Sequence, residues 1–281
     1  MLPRISDLTA VLDRLVDDEL RGRVARMGIR VNEFGYDRWG ASPRIAARML
    51  AVVRLFYQHY FRVGVHGIER LPAGRMMVVG NHSGQLAYDG MLVAAALALE
   101  AEPPRFLRAM IEHFFANVPL VSIMMTRVGQ LTGVPSNAER LLLEEEGAVL
   151  VFPEGQRGGG KVYRDRYKVM GFGQGFLRLA LRTGTPIVPF GFIGGEEMCA
   201  SFSRMEPLAH LLGTPYTPLT ATILPLPLPA KVDVYFGEPL RFEGSGDEED
   251  DKIVPMVRQV EQAVADLIAD GLCRRQSVWF G

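Results

Sequence analysis

The chain has 281 residues, of which 48% are apolar, 22% charged and 9% aromatic. That is a globular composition with material for a sizeable core, and it excludes global disorder, collagen and coiled coil. At roughly 150 residues per domain the length suits one or two domains. Two cysteines, Cys199 and Cys273, exclude a disulfide scaffold and fit a reducing, cytoplasmic environment. The formal net charge of −1 gives no bulk electrostatic case for nucleic acid.

The first residues, Met1 to Asp7, lack an unbroken apolar stretch and do not read as a secretory signal. One long window, Leu208 to Ala230, contains no Asp, Glu, Lys or Arg and has the length of a membrane span. Pro215, Pro218, Pro225, Pro227 and Pro229 lie inside it. Each removes an N–H and clashes with a helix interior, and lipid offers no replacement partner, so a transmembrane helix is not expected.

Residues 5–27 read as a charged, amphipathic helix, and 43–62 as a second helix. Val63–His66 and Met76–Gly80 are short strands around a Leu71-Pro72-Ala73-Gly74 turn, and Leu86–Leu99 is a mostly buried helix. Arg105–Ile111 suits a strand, whereas the apolar Val118–Met125 fits either state. Ser136-Asn137-Ala138-Glu139 has the capping-box pattern and opens a helix through Glu146, which Gly147 ends. Ala148–Phe152 is a strand, Gly173–Thr183 a helix closed by Gly184, and Pro186–Ile193 and Lys231–Phe236 are strands. Ile253–Leu272 is an amphipathic helix with Val257, Val260, Val264, Leu267 and Ile268 on one side. Strands alternating with helices predict an α/β fold, a mostly parallel central sheet flanked by helices, with an N-terminal amphipathic helical segment.

Charge is unevenly distributed. Between Arg38 and Arg75 there are seven arginines against one acid, Glu69. Arg157 to Lys168 holds five basic residues and one acid, Asp165, and Glu243 to Asp251 holds six acids and no base, beside turn glycines, as a solvated loop would. On the helix at 43–62 the polar side chains Arg44, Arg48, Arg54, Gln58, His59 and Arg62 share one face, opposite Ile45, Met49, Val52, Val53, Phe56, Tyr57 and Tyr60. A basic face without acids fits a helix lying on anionic lipid, and equally a helix packed on its own domain with its arginines in water.

Four segments carry chemistry. The first is Gly80-Asn81-His82-Ser83-Gly84, directly after a strand, with Asp89 as the nearest acid. Strand ends followed by Gly-containing turns are where α/β folds place ligands. A His backed by a carboxylate can transfer a proton near neutrality; alone, the pair reads more readily as a structural His and an Asp capping the next helix. The second is Phe152-Pro153-Glu154-Gly155-Gln156-Arg157, a buried strand ending in Pro with Glu and Arg in an exposed turn. Gly155 permits a positive φ or close backbone approach, and Arg157 suits phosphate or carboxylate. The third is Arg127 behind an apolar run. The fourth is Thr185-Pro186-Ile187-Val188-Pro189, a strand start at an edge or pocket.

Several lookalikes fail. Gly155 to Lys161 matches the phosphate-loop spacing, but Val162 stands where Ser or Thr must meet Mg²⁺. Gly171-Phe172-Gly173-Gln174-Gly175 places its third glycine one residue early for a dinucleotide site. There is no Gly-x-Ser-x-Gly, and the five histidines show no metal-ligand spacing.

Taken in order, Asn81-His82…Asp89, Arg127, Phe152-Pro153-Glu154-Gly155-Gln156-Arg157 and Val188-Pro189 resemble the motifs of the glycerolipid acyltransferase family over about residues 63–240. That family comprises glycerol-3-phosphate and 1-acylglycerol-3-phosphate acyltransferases and their monoacylglycerol-acyltransferase-like relatives. One departure is the spacing of six residues between His82 and Asp89, where the family has four; it resembles the neutral-acceptor branch.

The resemblance implies an O-acyltransferase in which His82 is general base and Asp89 orients it. Arg127, Glu154, Gly155 and Arg157 would then hold the acceptor head group. The acyl donor would be a thioester, acyl-CoA or acyl carrier protein, as co-substrate, with no metal or other cofactor. Membrane lipids would be partners, and residues 1–62 a membrane-docking segment before an α/β acyltransferase domain at 63–281. The protein is expected on the cytoplasmic side of a membrane, peripherally bound, with the 43–62 helix and the 208–230 window as docking surfaces. Charge alone adds that Arg164, Arg166 and Lys168 suit the phosphates of coenzyme A or of lipid. The other readings are acylation of a neutral acceptor (a mono- or diacylglycerol, a long-chain alcohol or a glycolipid) and a non-catalytic lipid-binding protein.

Overall fold

The structure, a computed structural model, describes residues 5–83, 88–111, 118–204, 218–220 and 227–280. Most of the 208–230 window lies outside these residues, as do the segment between Ser83 and Tyr88 and the start expected for the helix at Leu86.

A seven-stranded sheet forms the centre. Its strands are β1 (Gly64–His66), β2 (Met76–Gly80), β3 (Leu107–Ile111), β4 (Leu131–Thr132), β5 (Ala148–Val151), β6 (Ile187–Ile193) and β9 (Asp233–Phe236), in the order β1-β9-β6-β2-β5-β3-β4. All neighbours are parallel except β6 and β9, which pair antiparallel from Phe190↔Phe236 to Ile193↔Asp233. Two further strands, β7 (Ser201–Arg204) and β8 (Pro218–Thr220), pair separately. The expected α/β architecture with a mostly parallel sheet is what the chain adopts.

Strand periodicity sorts the core into two layers. Met76 and Val78 of β2 face one way with Leu150, Val188 and Phe190, against Leu92, Val93 and Ala96 of α4 (Tyr88–Leu99) and Val53 of α3 (Pro43–Leu55). Met77 and Val79 face the other way, against Leu141 and Leu142 of α6 (Pro135–Glu145), Phe176 and Leu177 of α8 (Gly175–Thr183), and Ile253, Val257 and Val260 of α10 (Asp250–Arg274). Strands buried on both faces explain the near-continuous apolar runs.

The N-terminal segment differs from the single helix expected at 5–27. It is α1 (Ile5–Leu15) followed by α2 (Asp18–Arg26), because Asp17 breaks the run and caps the second helix, its carboxylate accepting the Leu20 N–H at 2.9 Å. Val16, Leu20 and Val24 pack on Ala47 and Ala51 of α3. The helix expected at 43–62 is α-helical only to Leu55. It continues as one π-helical turn, Phe56–Tyr60, closed by the Phe61 N–H to Phe56 carbonyl bond, and Arg62 turns the chain at φ +46°.

Other differences are local. The apolar Val118–Met125 run resolves as helix α5 (Val121–Arg127). α6 starts at Pro135, whose ring is pre-set for a first helical turn, and the Ser136 capping box does not form. Its C-cap is Glu146 at φ +51°, not Gly147. β6 is an interior strand, not an edge, despite Pro189. The β9 register ends at Phe190, and beyond it Gly237 donates to the Pro189 carbonyl, so no ladder bond requires the missing N–H.

Candidate active site

β5 and β6 flank β2, so the segments leaving these three strands at their carboxyl ends crowd over one stretch of the sheet edge. Asn81 prolongs β2 with its side chain: Nδ2–H donates to the Phe192 carbonyl at 3.0 Å and Oδ1 accepts the Phe192 N–H at 2.8 Å. That reciprocal pair fixes where the next residue, His82, leaves the sheet.

The His82 ring nitrogen Nδ1 lies 2.6 Å from Asp89 Oδ2, so six intervening residues do close a His–Asp pair. Asp89 sits in the first turn of α4 with its side chain fully buried. It also accepts the Ser83 N–H at 2.9 Å and the Gly90 N–H at 2.7 Å. Burial pushes the Asp89 carboxyl upward, but His82 and these two backbone donors outweigh it and hold it below the ordinary carboxylate range. Burial pulls His82 down; the Asp89 charge and hydrogen bond, with help from Glu154, reverse this and raise it. An ionised Asp89 therefore selects the tautomer with the proton on Nδ1 and leaves Nε2 as the basic nitrogen. The imidazole stacks on Phe152, centroids 4.4 Å apart at 18°, and its side chain keeps 17% exposure.

Glu154 differs from the exposed turn residue that its sequence position suggests. It is 2% exposed. Its Oε1 accepts the backbone N–H of His82 at 2.9 Å and its Oε2 that of Met170 at 2.7 Å. Buried lysine Lys161 stands 3.3 Å from Glu154 Oε2 and 3.8 Å from Glu196 Oε1. Glu154 thus grips the backbone under the imidazole and faces inward. The reason is the turn itself: Gly155 has φ +56° and ψ −141°, a conformation open to glycine alone, and it starts helix α7 (Gln156–Gly159). Within that helix Gly158 packs so closely that a Cβ there would lie 2.7 Å from Glu154 Cβ and 2.9 Å from His82 Cβ.

The two arginines of the expected head-group set point to different surroundings. Arg157 is exposed beside this turn, donating to the Gly171 carbonyl at 3.0 Å. Arg127 closes α5 and engages the 36–42 loop, donating to the Gly40 carbonyl at 2.7 Å and lying 4.2 Å over the Tyr36 ring. The structure therefore gathers His82, Asp89, Glu154, Gly155 and Arg157 around one turn, and gives Arg127 contacts with the N-terminal loop. Lys161 is a residue beside the site that the sequence reading did not place there; it entered only through the 157–168 basic run and the rejected phosphate-loop match. Among the described residues no group of three or more His, Cys, Asp or Glu is placed to hold a metal ion, and no helix is long and apolar enough to cross a membrane.

Fold and site together define an α/β enzyme with a His–Asp pair at the carboxyl edge of its sheet. The family model described as Acyltransferase matches residues 62–193, the span from β1 through β6 that carries both motifs. Similar proteins include an uncharacterized protein of Mycobacterium tuberculosis, 35% identical over 264 residues, covering 89% of this chain and 72% of that one. Another, from Mycobacterium leprae, is 34% identical over 264 residues, covering 89% and 70%. The crystal structure of the 1-acyl-sn-glycerophosphate (LPA) acyltransferase PlsC from Thermotoga maritima shares the fold, with a TM-score of 0.52 and 17% identity over 94% of this chain and 95% of that one. The chain belongs to the acyltransferase family, and it is an acyltransferase.

Proposed function

We propose that the protein transfers a fatty acyl group from an acyl thioester to a hydroxyl of a glycerolipid, with His82 as general base. The observation that carries this reading is the 2.6 Å contact between His82 Nδ1 and Asp89 Oδ2. It leaves Nε2 to take the acceptor's proton while the alkoxide attacks the thioester carbonyl. The thiolate then leaves, and Asp89 stabilises the imidazolium until it protonates the departing sulfur. No acyl-enzyme is needed; positioning of two substrates supplies much of the rate, and general-base action about 10²–10⁴-fold. Arg157, beside the glycine turn, is the cation best placed for an anionic group of acceptor or donor. Arg164, Arg166 and Lys168 follow on the same exposed loop, where Lys168 pairs with Asp165 at 2.8 Å. The substrates are membrane lipids, so the enzyme works peripherally at a bilayer surface, with residues 1–62 as the docking segment.

A neutral acceptor is favoured by one observation. Arg127, the residue that would bind a phosphate head group by resemblance, contacts Gly40 and Tyr36. The test is release of free thiol from oleoyl-coenzyme A with a panel of lysophosphatidate, monoacylglycerol, diacylglycerol and long-chain alcohol. Wild type is expected to turn over at least one acceptor, and His82→Ala none. Full activity in His82→Ala removes the general base from this reading. Lipid binding without turnover of any pair would leave glycerolipid acyl transfer unsupported.

A further inference from the structure

The polar cluster beneath the imidazole has a part that the acyl-transfer scheme does not use. Lys161, 5% exposed, lies between Glu154 and Glu196, which are 2% and 4% exposed. The three come from the loop after α7, the turn after β5 and the short helix α9 (Gly195–Met198) after β6. Glu196 Oε1 also accepts the Tyr167 N–H at 3.2 Å. The Tyr167 hydroxyl donates to Glu197 at 2.5 Å, and Arg275 donates to Glu197 at 3.0 Å. Among the described residues, the charged groups around Lys161 include Glu154, Glu196 and, behind Glu154, the His82–Asp89 pair, with Glu197 and Arg275 paired to each other further along.

A buried carboxylate is tolerated when it is hydrogen-bonded and matched by a cation. Glu154 spends one oxygen on the His82 N–H and the other on the Met170 N–H. We propose that Lys161 is a positioning residue: its ammonium holds the Glu154 carboxylate across these two N–H groups, fixing the backbone from which the His82 imidazole is presented. This rests on the reading of His82 as general base. Burial pushes Glu196 up to about 7 despite Lys161, so near neutrality Glu196 is a weaker competitor for that ammonium. Without the ammonium, Glu154 would lose the buried cation that stands 3.3 Å from its Oε2 whatever the state of His82, and protonation or reorientation would cost it one of its two N–H partners.

Amide hydrogen exchange and NMR titration of the His82 ring on the full chain test this without any substrate. In Lys161→Met the His82 and Met170 amides should exchange at least about tenfold faster while β2 and β5 core amides do not change. Lys161 opposes protonation of His82, so its loss should also move the His82 titration upward, and with it the acid limb of kcat/KM for oleoyl-coenzyme A. In a Glu154→Gln background the neutral amide needs no counter-charge, and the further effect of Lys161→Met should shrink to less than about threefold. If Lys161→Met alone does not fold, Lys161→Met with Glu154→Gln should. Unchanged protection of both amides in a folded Lys161→Met variant, or equal effects in the two backgrounds, would overturn the proposal. If the amides respond while no thioester–acceptor pair turns over, the positioning role stands and the acyl-transfer reading fails.

Discussion

His82 can act as a base only when its ring is neutral. Its proton affinity is raised because the Asp89 charge and hydrogen bond outweigh burial. The ring is therefore protonated, and idle, up to a pH above its ordinary 6.5, and the acid limb of kcat/KM is expected there. Asp89→Asn removes the charge that raises it, so the limb should move down while the rate falls about 10²–10⁴-fold. An unmoved limb in a pH–rate profile of that variant would assign the limb to another group. The pair also contributes stability that is complete below the imidazole's unfolded value and lost as pH rises through the folded one. Both members were legible in the sequence, since a strand, a glycine turn and an acid at the start of a helix are local features. Glu154 was legible as a residue and not as an orientation. Its inward turn depends on the Gly155 backbone and on Lys161 and Met170, and nothing in a hexapeptide motif states which way a carboxylate faces.

At the scale of elements, the face of α3 that reads as basic and acid-free acquires acids from its neighbours. Asp13 of α1 bonds Arg48 at 2.6 Å and Arg44 at 3.2 Å, and Asp17 bonds Arg54 at 2.6 Å. Arg48 and Arg54 side chains keep only 15% and 18% exposure, whereas Arg44 keeps 73%. A helical wheel shows one helix at a time, so the pairing was invisible before α1 and α2 were seen lying across α3. It narrows the electrostatic part of the docking proposal to Arg44 and exposed groups around it. Flotation with anionic liposomes should weaken more on Arg44→Glu than on Arg54→Glu; equal loss would contradict the pairing. The hydrogen bond from Arg48 outweighs burial and, with Arg44, holds Asp13 down to about 2. Its contribution to holding α1 on α3 is thus present above the unfolded value of 3.8 and lost as pH falls through about 2. Amide exchange along α1 should accelerate across that window in wild type, and already at neutral pH in Asp13→Asn.

Across the whole molecule, a buried ion pair joins the loop before α3 to the sheet. Asp37 and Arg108 bond side chain to side chain with 5% and 4% exposure, and Asp37 also accepts the Trp39 and Ala41 N–H groups at 2.9 and 2.7 Å. Arg108 comes from β3, and the 37–42 loop leads into α3 and contacts α5 through Arg127. Asp37→Ala leaves a buried guanidinium unmatched and should cost about 3–5 kcal/mol in urea denaturation; a loss below about 1 kcal/mol would mean that the loop is held by other contacts. The sequence by itself determined the longer helices and most sheet strands in their order, because helical and strand periodicity, prolines and glycine turns act over a few residues; the break at Asp17, the π turn at Phe56–Tyr60 and the short elements β4, β7, β8, α7 and α9 came only with the structure. The sequence determined the His–Asp and glycine-turn motifs for the same reason. Only the tertiary structure decided that Pro189 lies in an interior strand, that Glu154 faces Lys161, and that Arg127 meets Tyr36. The first and the last depend on residues far apart in the chain; Glu154 and Lys161 are close in sequence, but Glu154 is held inward by the His82 N–H, 72 residues away, which the pairing of β2 with β5 brings beside it.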